Sequence, residues 1–256
     1  MEKKIQTFDK IQKISYISIA ILSLCLGVFY VRNYAFAKVE DVNIQKGIIE
    51  NPVFQDYMLL EEPKIIYDFI SDDSLQKYLS AQTPFQDQNY KPFDLSPVIS
   101  DFTANDSTRF SLRKDAGIWF ADLAWNFWNE NDGAKLQLVS AYRSNGFQNM
   151  LLKNWCSRLR CALAWTSEHQ AWLAVDIQVT KNWRTYKLQS GSVYFDWLKN
   201  NAHRFWFHNT YQKWIDIDGQ MIEARHWRYL GMWLAEILYE NNQTLAEYYN
   251  QQQTNN

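Results

Sequence analysis

An α+β fold is the reading that three stretches of this 256-residue chain support. Apolar residues recur at three- and four-residue spacing between Ser107 and Glu130, the mark of an amphipathic helix. Leu136–Ser140 and Ala174–Val179 alternate with the period of two that belongs to strands. Asp218-Gly219 lies between further strand-like runs and signals a tight hairpin turn. A small antiparallel sheet with helices packed on one side accommodates all three.

The N-terminus is of a different character. Lys3, Lys4, Lys10 and Lys13 precede an uncharged run from Ile14 to Val31. That run is 18 residues long, which as a helix spans about 27 Å, near the thickness of a bilayer's hydrocarbon. Residues 1–37 are expected to be a basic start followed by a transmembrane anchor, with the remainder outside the cytoplasm. Ala35-Phe36-Ala37 also fits a signal-peptidase site, which would leave a secreted protein. Residues 38–90 are broken by Pro52, Pro63 and Pro84 and are expected to form a stalk and the outer layers of the domain.

In the domain proper, residues 91–240, Leu112, Ala116, Trp119, Phe120, Leu123 and Phe127 form the apolar stripe of the first helix, and Asn131-Asp132-Gly133 ends it. The strand at Leu136 delivers Ala141-Tyr142-Arg143-Ser144 to a loop. A second helix is expected from Gln148 to Cys161, and a short one from Tyr194 to Asn201. Strand is expected at Phe205–Phe207, at Tyr211–Ile217 and at Met221–Glu223, followed by a closing helix from Gly231 to Tyr239. Residues 241–256 are rich in Asn and Gln, and the chain after Tyr249 is expected to be disordered. Cys156 and Cys161 are too loosely spaced for a metal pair and read as a structural or free pair. A formal charge of -2 and the lack of a basic stripe argue against nucleic acid as a partner.

Chemistry concentrates in two places. One is Ser167-Glu168-His169 with Asp176 in the following strand, and the other is Glu223-Ala224-Arg225-His226. Two imidazoles and a carboxylate suit three positions of a catalytic zinc ion, and a spare carboxylate suits a general base. Each residue also has an ordinary reading. His169 and His226 fit as core histidines, Asp176 as a local hydrogen-bond partner, and Glu223 as an ion-pair partner of Arg225 or Arg228.

Four segments in order resemble the VanY-type D-alanyl-D-alanine carboxypeptidases. Ser167–Asp176 is similar to that family's Ser-x-His-x-x-Gly-x-Ala-x-Asp motif, and Glu223–Gly231 to its Glu-Pro-Trp-His-Trp-Arg-Tyr-Val-Gly stretch. Ser140–Ser144 with Gln148 resembles its Ser-Gly-Tyr-Arg-Ser segment, and Trp197–His203 its Trp-Leu-x-x-Asn-Ala-His helix.

The resemblance implies zinc held by His169, Asp176 and His226, and Glu223 as general base. It implies that Arg143 binds substrate or steadies the developing oxyanion, with Ser167, Ser144 and Gln148 near the substrate. The implied substrate is a peptidoglycan stem peptide ending in D-alanine. The implied setting is the outer face of the cell membrane, reached through residues 14–31. Cleavage of another stem-peptide bond and non-catalytic wall binding are the alternatives.

Two residues depart from the pattern. Trp172 stands where the family has glycine, so the loop is expected to take another path or to turn the indole into the groove. Arg225 stands where it has tryptophan and places a cation near Glu223, where it would weaken the base or attract an acidic substrate group.

Overall fold

The structure, a computed structural model, describes residues 66–254. The expected membrane or signal segment and most of the expected stalk lie outside the described residues. Among the described residues no helix is long and apolar enough to cross a membrane.

The centre is an antiparallel sheet of five strands, built on β4 (Ala174–Lys181). On one side β4 pairs with β3 (Lys135–Ser140). On the other, its first half pairs with β7 (His226–Tyr229) and its second half with β5 (Arg184–Tyr186). The short strand β6 (Phe207–His208) continues the sheet beyond β7. A separate ribbon joins β1 (Leu95–Pro97) to β2 (Ser111–Arg113).

Period-two alternation sorts the sheet into two unlike faces. Leu136 and Leu138 of β3, Val175, Ile177 and Val179 of β4, Phe207 of β6, and Trp227 and Tyr229 of β7 enter one hydrophobic core. This face is covered by α1 (Lys114–Glu130), whose Ala116, Phe120, Leu123 and Phe127 point inward at helical spacing. α3 (Val193–Asn201) adds Phe195 and Leu198. Phe120 meets Phe207 edge-on with ring centroids 6.0 Å apart, and Phe195 meets Trp227 at 6.1 Å. The residues that alternate with these, Asp176, His208, His226 and Arg228, are turned to the opposite face and are all buried.

Several expectations change. The first helix begins at Lys114 rather than Ser107, because Ser111–Arg113 is taken up by β1. The second helix, α2, spans only Asn145–Asn154. It stops before a loop closed by a Cys156–Cys161 disulfide. Tyr211–Ile217 is not a strand. The Asp218 carboxylate accepts the backbone N–H groups of Gln212 and Lys213, which rolls the chain into a loop and the short helix α4 (Ile215–Asp218). Gly219, at φ 75°, caps that helix instead of turning a hairpin. Met221–Glu223 runs outside the sheet and is tied by the Glu223 N–H to the Tyr211 carbonyl.

The closing helix α5 spans Leu234–Glu240. The tail expected to be disordered forms α6, Leu245–Thr254. Thr244 and Glu247 cap that helix reciprocally: Thr244 Oγ1 accepts the Glu247 N–H, and the Glu247 carboxylate accepts the Thr244 N–H. Leu245 joins Leu230, Leu234, Leu238 and Phe69 in a second apolar cluster, and Tyr78 stacks on Tyr249 with centroids 4.2 Å apart. The compact unit begins at Ile66, so residues 66–90 belong to it and contribute Leu79 and Phe85 to the main core.

Phe120 is fully buried in the main core, whereas Ile118 of the same helix is half exposed. Phe120→Ala is expected to lower the unfolding free energy by about 3–5 kcal/mol through the cavity it leaves. Ile118→Ala is expected to stay within roughly 0.5 kcal/mol of the parent. Chemical denaturation of the two variants measures both.

Candidate active site

Asp176 and His226 face each other across the β4–β7 pair, where they are directly registered partners. His169 arrives from a 3₁₀ turn, Glu168–Ala171, that leads into β4. One donor atom from each of His169, Asp176 and His226 lies within 4.8 Å of the others, and all three side chains are buried. His169 Nε2 is 3.4 Å from Asp176 Oδ1, and His226 Nδ1 is 3.5 Å from the same oxygen.

The other nitrogen of each ring is already engaged. His169 Nδ1 lies 2.5 Å from the Ala141 carbonyl oxygen, and His226 Nε2 lies 2.8 Å from Glu168 Oε2. Carbonyl and carboxylate oxygens accept only, so both nitrogens carry the proton and donate it. His169 Nε2 and His226 Nδ1 are left facing Asp176. His169 Nε2 and Asp176 Oδ1 have no hydrogen-bond partner among the described residues although both are buried. Converging atoms of two imidazoles and a carboxylate, two of them unpartnered, fit a divalent metal ion of the zinc type.

Glu168, given no role by the sequence reading, organises the site from behind. Its carboxylate accepts hydrogen bonds from Arg228 Nη1 at 2.6 Å, Thr210 Oγ1 at 2.8 Å and His226. Burial alone would raise its pKa, but Arg228 and His226 outweigh burial and hold it at about 2. Burial likewise opposes ionisation of Asp176, and His169, His226 and Arg143 overcome it, so Asp176 sits well below the usual carboxylate range. His226 is lifted to about 9: burial acts against the charge, and the hydrogen bonds to Asp176 and Glu168 prevail. Burial dominates at His169 and lowers it.

Arg143 follows a bulge in β3, between Leu138 and Ser140, that re-aims the strand end. Its Nε donates to Ser140 Oγ at 2.9 Å, and its Nη2 pairs with Asp176 Oδ2. Glu223 reaches the site's edge through Arg225, whose Nε lies 2.7 Å from Glu223 Oε1 and 3.9 Å from Asp176 Oδ1. Ser144 caps α2 by accepting the Phe147 N–H and also lines a cavity beside the cluster. Ser167 precedes the His169 turn, buried, and its carbonyl accepts the Gln170 N–H. Gln148 is expected near substrate, but it is buried away from that cavity and donates to the Ala162 carbonyl, bracing the disulfide loop.

Trp172 does not send its loop along another path, and its indole lines the neighbouring cavity. Its backbone is left-handed, at φ 56° and ψ 27°, a conformation that glycine adopts without strain. The indole is buried at 6% exposure and stacks on Tyr142, with rings 3.8 Å apart and 4° from parallel. A left-handed non-glycine residue costs roughly 1–2 kcal/mol. Burying a large aromatic side chain in a stack offsets that cost.

A buried His–Asp–His cluster that could hold a metal ion, with a nearby carboxylate, lies beside one face of an antiparallel sheet. Residues 112–232 match the VanY family, described as D-alanyl-D-alanine carboxypeptidase. The chain is 32% identical over 176 residues to YodJ of Bacillus subtilis (strain 168), a carboxypeptidase by name. It is 32% identical over 117 residues to a D-alanyl-D-alanine carboxypeptidase of Enterococcus faecalis (strain ATCC 700802 / V583). Those matches take in 63% and 44% of this chain, and the chain spans 62% and 40% of the relatives' own lengths. The solved LD-carboxypeptidase LdcB superposes with a TM-score of 0.59 at 27% identity, over 70% of this chain and 87% of that one.

Arg228 is fully buried, and its guanidinium is met by Glu168 and by the carbonyl oxygens of Leu75 and Lys77. Arg228→Met strands the Glu168 carboxylate in the interior. It is expected to cost about 3–5 kcal/mol of stability, read from denaturant unfolding against the parent.

Proposed function

We propose that the chain is a zinc-dependent D-alanyl-D-alanine carboxypeptidase that releases the terminal D-alanine of peptidoglycan stem peptides. The observation that carries this reading is the convergence of His169 Nε2, Asp176 Oδ1 and His226 Nδ1, with the remaining nitrogen of each ring held by a carbonyl or a carboxylate. The family match of residues 112–232 supports the substrate class.

His169, Asp176 and His226 would hold the ion with three protein donors. When bound, zinc supplies Lewis acidity to the scissile carbonyl. Glu223 accepts a proton from the attacking water and returns it to the amine nitrogen of the departing D-alanine. The Arg143 guanidinium is a fixed, permanently charged fork beside the cluster. It receives the substrate carboxylate or the oxyanion that develops on the carbonyl oxygen. Ser144 meets the substrate at the cavity wall, and Ser167 braces the turn that carries His169. Residues 14–31 would hold the domain at the outer face of the membrane.

The Arg225–Glu223 ion pair favours a second reading, a non-catalytic wall-binding relative in which Glu223 serves only as a structural anion. One assay separates the two, and also detects an endopeptidase. The full chain in detergent is incubated with zinc and a pentapeptide ending in D-Ala-D-Ala. The expected product is free D-alanine together with the tetrapeptide. Internal fragments would point to the endopeptidase, and intact peptide at full zinc loading would overturn the enzyme reading.

Two variant sets test the assigned roles. His169→Ala and His226→Ala are expected to lose bound zinc by elemental analysis. Glu223→Gln is expected to keep zinc and to lose about 10²- to 10⁴-fold in kcat, as removal of a general base does.

A further inference from the structure

A cavity of about 410 Å³ opens beside the turn that carries His169, with Gln170 of that turn in its wall. It starts one residue from His169's surroundings at two points. Tyr142 follows Ala141, whose carbonyl receives the His169 ring, and Trp172 ends the turn on which His169 sits. Tyr142 and Trp172 line it as a stacked pair, together with Phe85, Tyr90 and Trp165.

These walls are set before any ligand arrives. Phe85 and Tyr90 stack on each other at 5.4 Å, and the Tyr90 hydroxyl donates to Asp73 at 2.8 Å. The Phe85 N–H donates to the Trp165 carbonyl, and the Trp165 N–H donates to Gln170 Oε1. Rings held in this way lose little freedom on binding. The segment that supplies Phe85 and Tyr90 precedes residue 112, where the family match begins. Trp172 itself replaces the glycine of the family's motif. The cavity therefore combines residues inside the family match with a wall that precedes it.

Lys91 is the one charged side chain among those lining the cavity, and it is exposed. The other polar groups at the wall, including Gln88, Asn89 and Asn145, are neutral. An apolar floor with a single cation at its rim suits a ligand with an aliphatic stem and a carboxylate. A cationic side chain would meet a like charge there with no carboxylate to offset it.

We propose that this cavity is the subsite for the peptide on the acyl side of the scissile bond, and that it selects a residue bearing a free carboxylate, whose stem lies against the Tyr142–Trp172 stack while Lys91 receives the charge. The proposal rests on the carboxypeptidase reading for its substrate. The ion pair it predicts is solvent-exposed, so its effect is modest, about two- to fivefold at low salt, and it fades as salt screens it.

The test uses the full zinc-loaded chain and two pentapeptides ending in D-Ala-D-Ala. The peptides differ only in carrying a free carboxylate or a carboxamide on one upstream side chain. The acid form is expected to show the lower KM by about two- to fivefold at low salt, with kcat the same for both. Lys91→Ala is expected to level the two KM values, and Lys91→Glu to invert their order. Trp172→Gly is expected to raise KM for both peptides by removing the shared floor.

Equilibrium binding of the same pair to the Glu223→Gln variant repeats the comparison without turnover. If neither peptide is cleaved by the parent chain, the carboxypeptidase reading fails, and the binding ratio still decides the subsite. A parent chain indifferent to the carboxylate, or a preference that survives Lys91→Ala, would overturn the proposal.

Discussion

The buried Glu168 carboxylate joins three parts of the molecule that are far apart in the chain. It takes hydrogen bonds from Arg228 and His226 of β7 and from Thr210, which follows β6. Through Arg228 it also secures residues 75 and 77, whose carbonyls accept the far end of that guanidinium. An ionised carboxylate is costly to bury unless each of its lone pairs is met, and here charged and neutral donors meet them. That requirement explains why the His226 ring cannot turn: rotation would unpair a buried anion. The chemistry expected at His226 Nδ1 thus depends on an interaction at the other edge of the same ring.

The sheet separates stability from chemistry by strand alternation. Val175, Ile177, Trp227 and Tyr229 press into the core under α1 and α3, while Asp176, His226 and Arg228 point the other way. Asp176 and Arg228 are each flanked in their strands by two residues locked in a close-packed interior, and His226 is followed by one, Trp227, which fixes the backbone beneath them. The bulge at the end of β3 sets Ser140 opposite Asp176 and turns Arg143 onto that carboxylate. Two cations, Arg143 and Arg225, approach Asp176. The cluster is thus a dense arrangement of opposed charge in which each group depends on its neighbours.

Tryptophan is used in an unusual way around the site. Trp165 and Trp172, on either side of the His169 turn, both have left-handed backbones at φ 67° and 56°. The ring of Trp172 is fixed by its stack on Tyr142, and the backbone of Trp165 is tied to Gln170 and Phe85. A glycine would make the same turns without strain but would supply no wall. The aromatic residues form one side of the cavity next to the His169 turn, and Trp172 among them is a departure from the VanY-type motif.

Much of this was legible in the sequence. Helical spacing located α1, alternation located β3 and β4, and the order of motifs picked out His169, Asp176 and His226, because local periodicity and motif identity are properties of contiguous residues. The β1–β2 ribbon, the short helix at Ile215 and the helical tail were not, since each depends on a partner distant in sequence or on a cap that composition conceals. Thr244 and Glu247 carried the signal for that tail in a Thr-x-x-Glu pattern, hidden among Asn and Gln. Glu168 sat in plain view beside His169, but its role rests on Arg228 and Thr210, some 40–60 positions away. At Trp172 sequence rules argued against the left-handed turn, and the stack on Tyr142 reversed that preference. The sequence by itself marked His169, Asp176 and His226 as the side chains that converge. Tertiary structure decided their tautomers, their charge partners and the shape of the groove beside them, because those follow from which groups share a buried volume and not from which are neighbours along the chain.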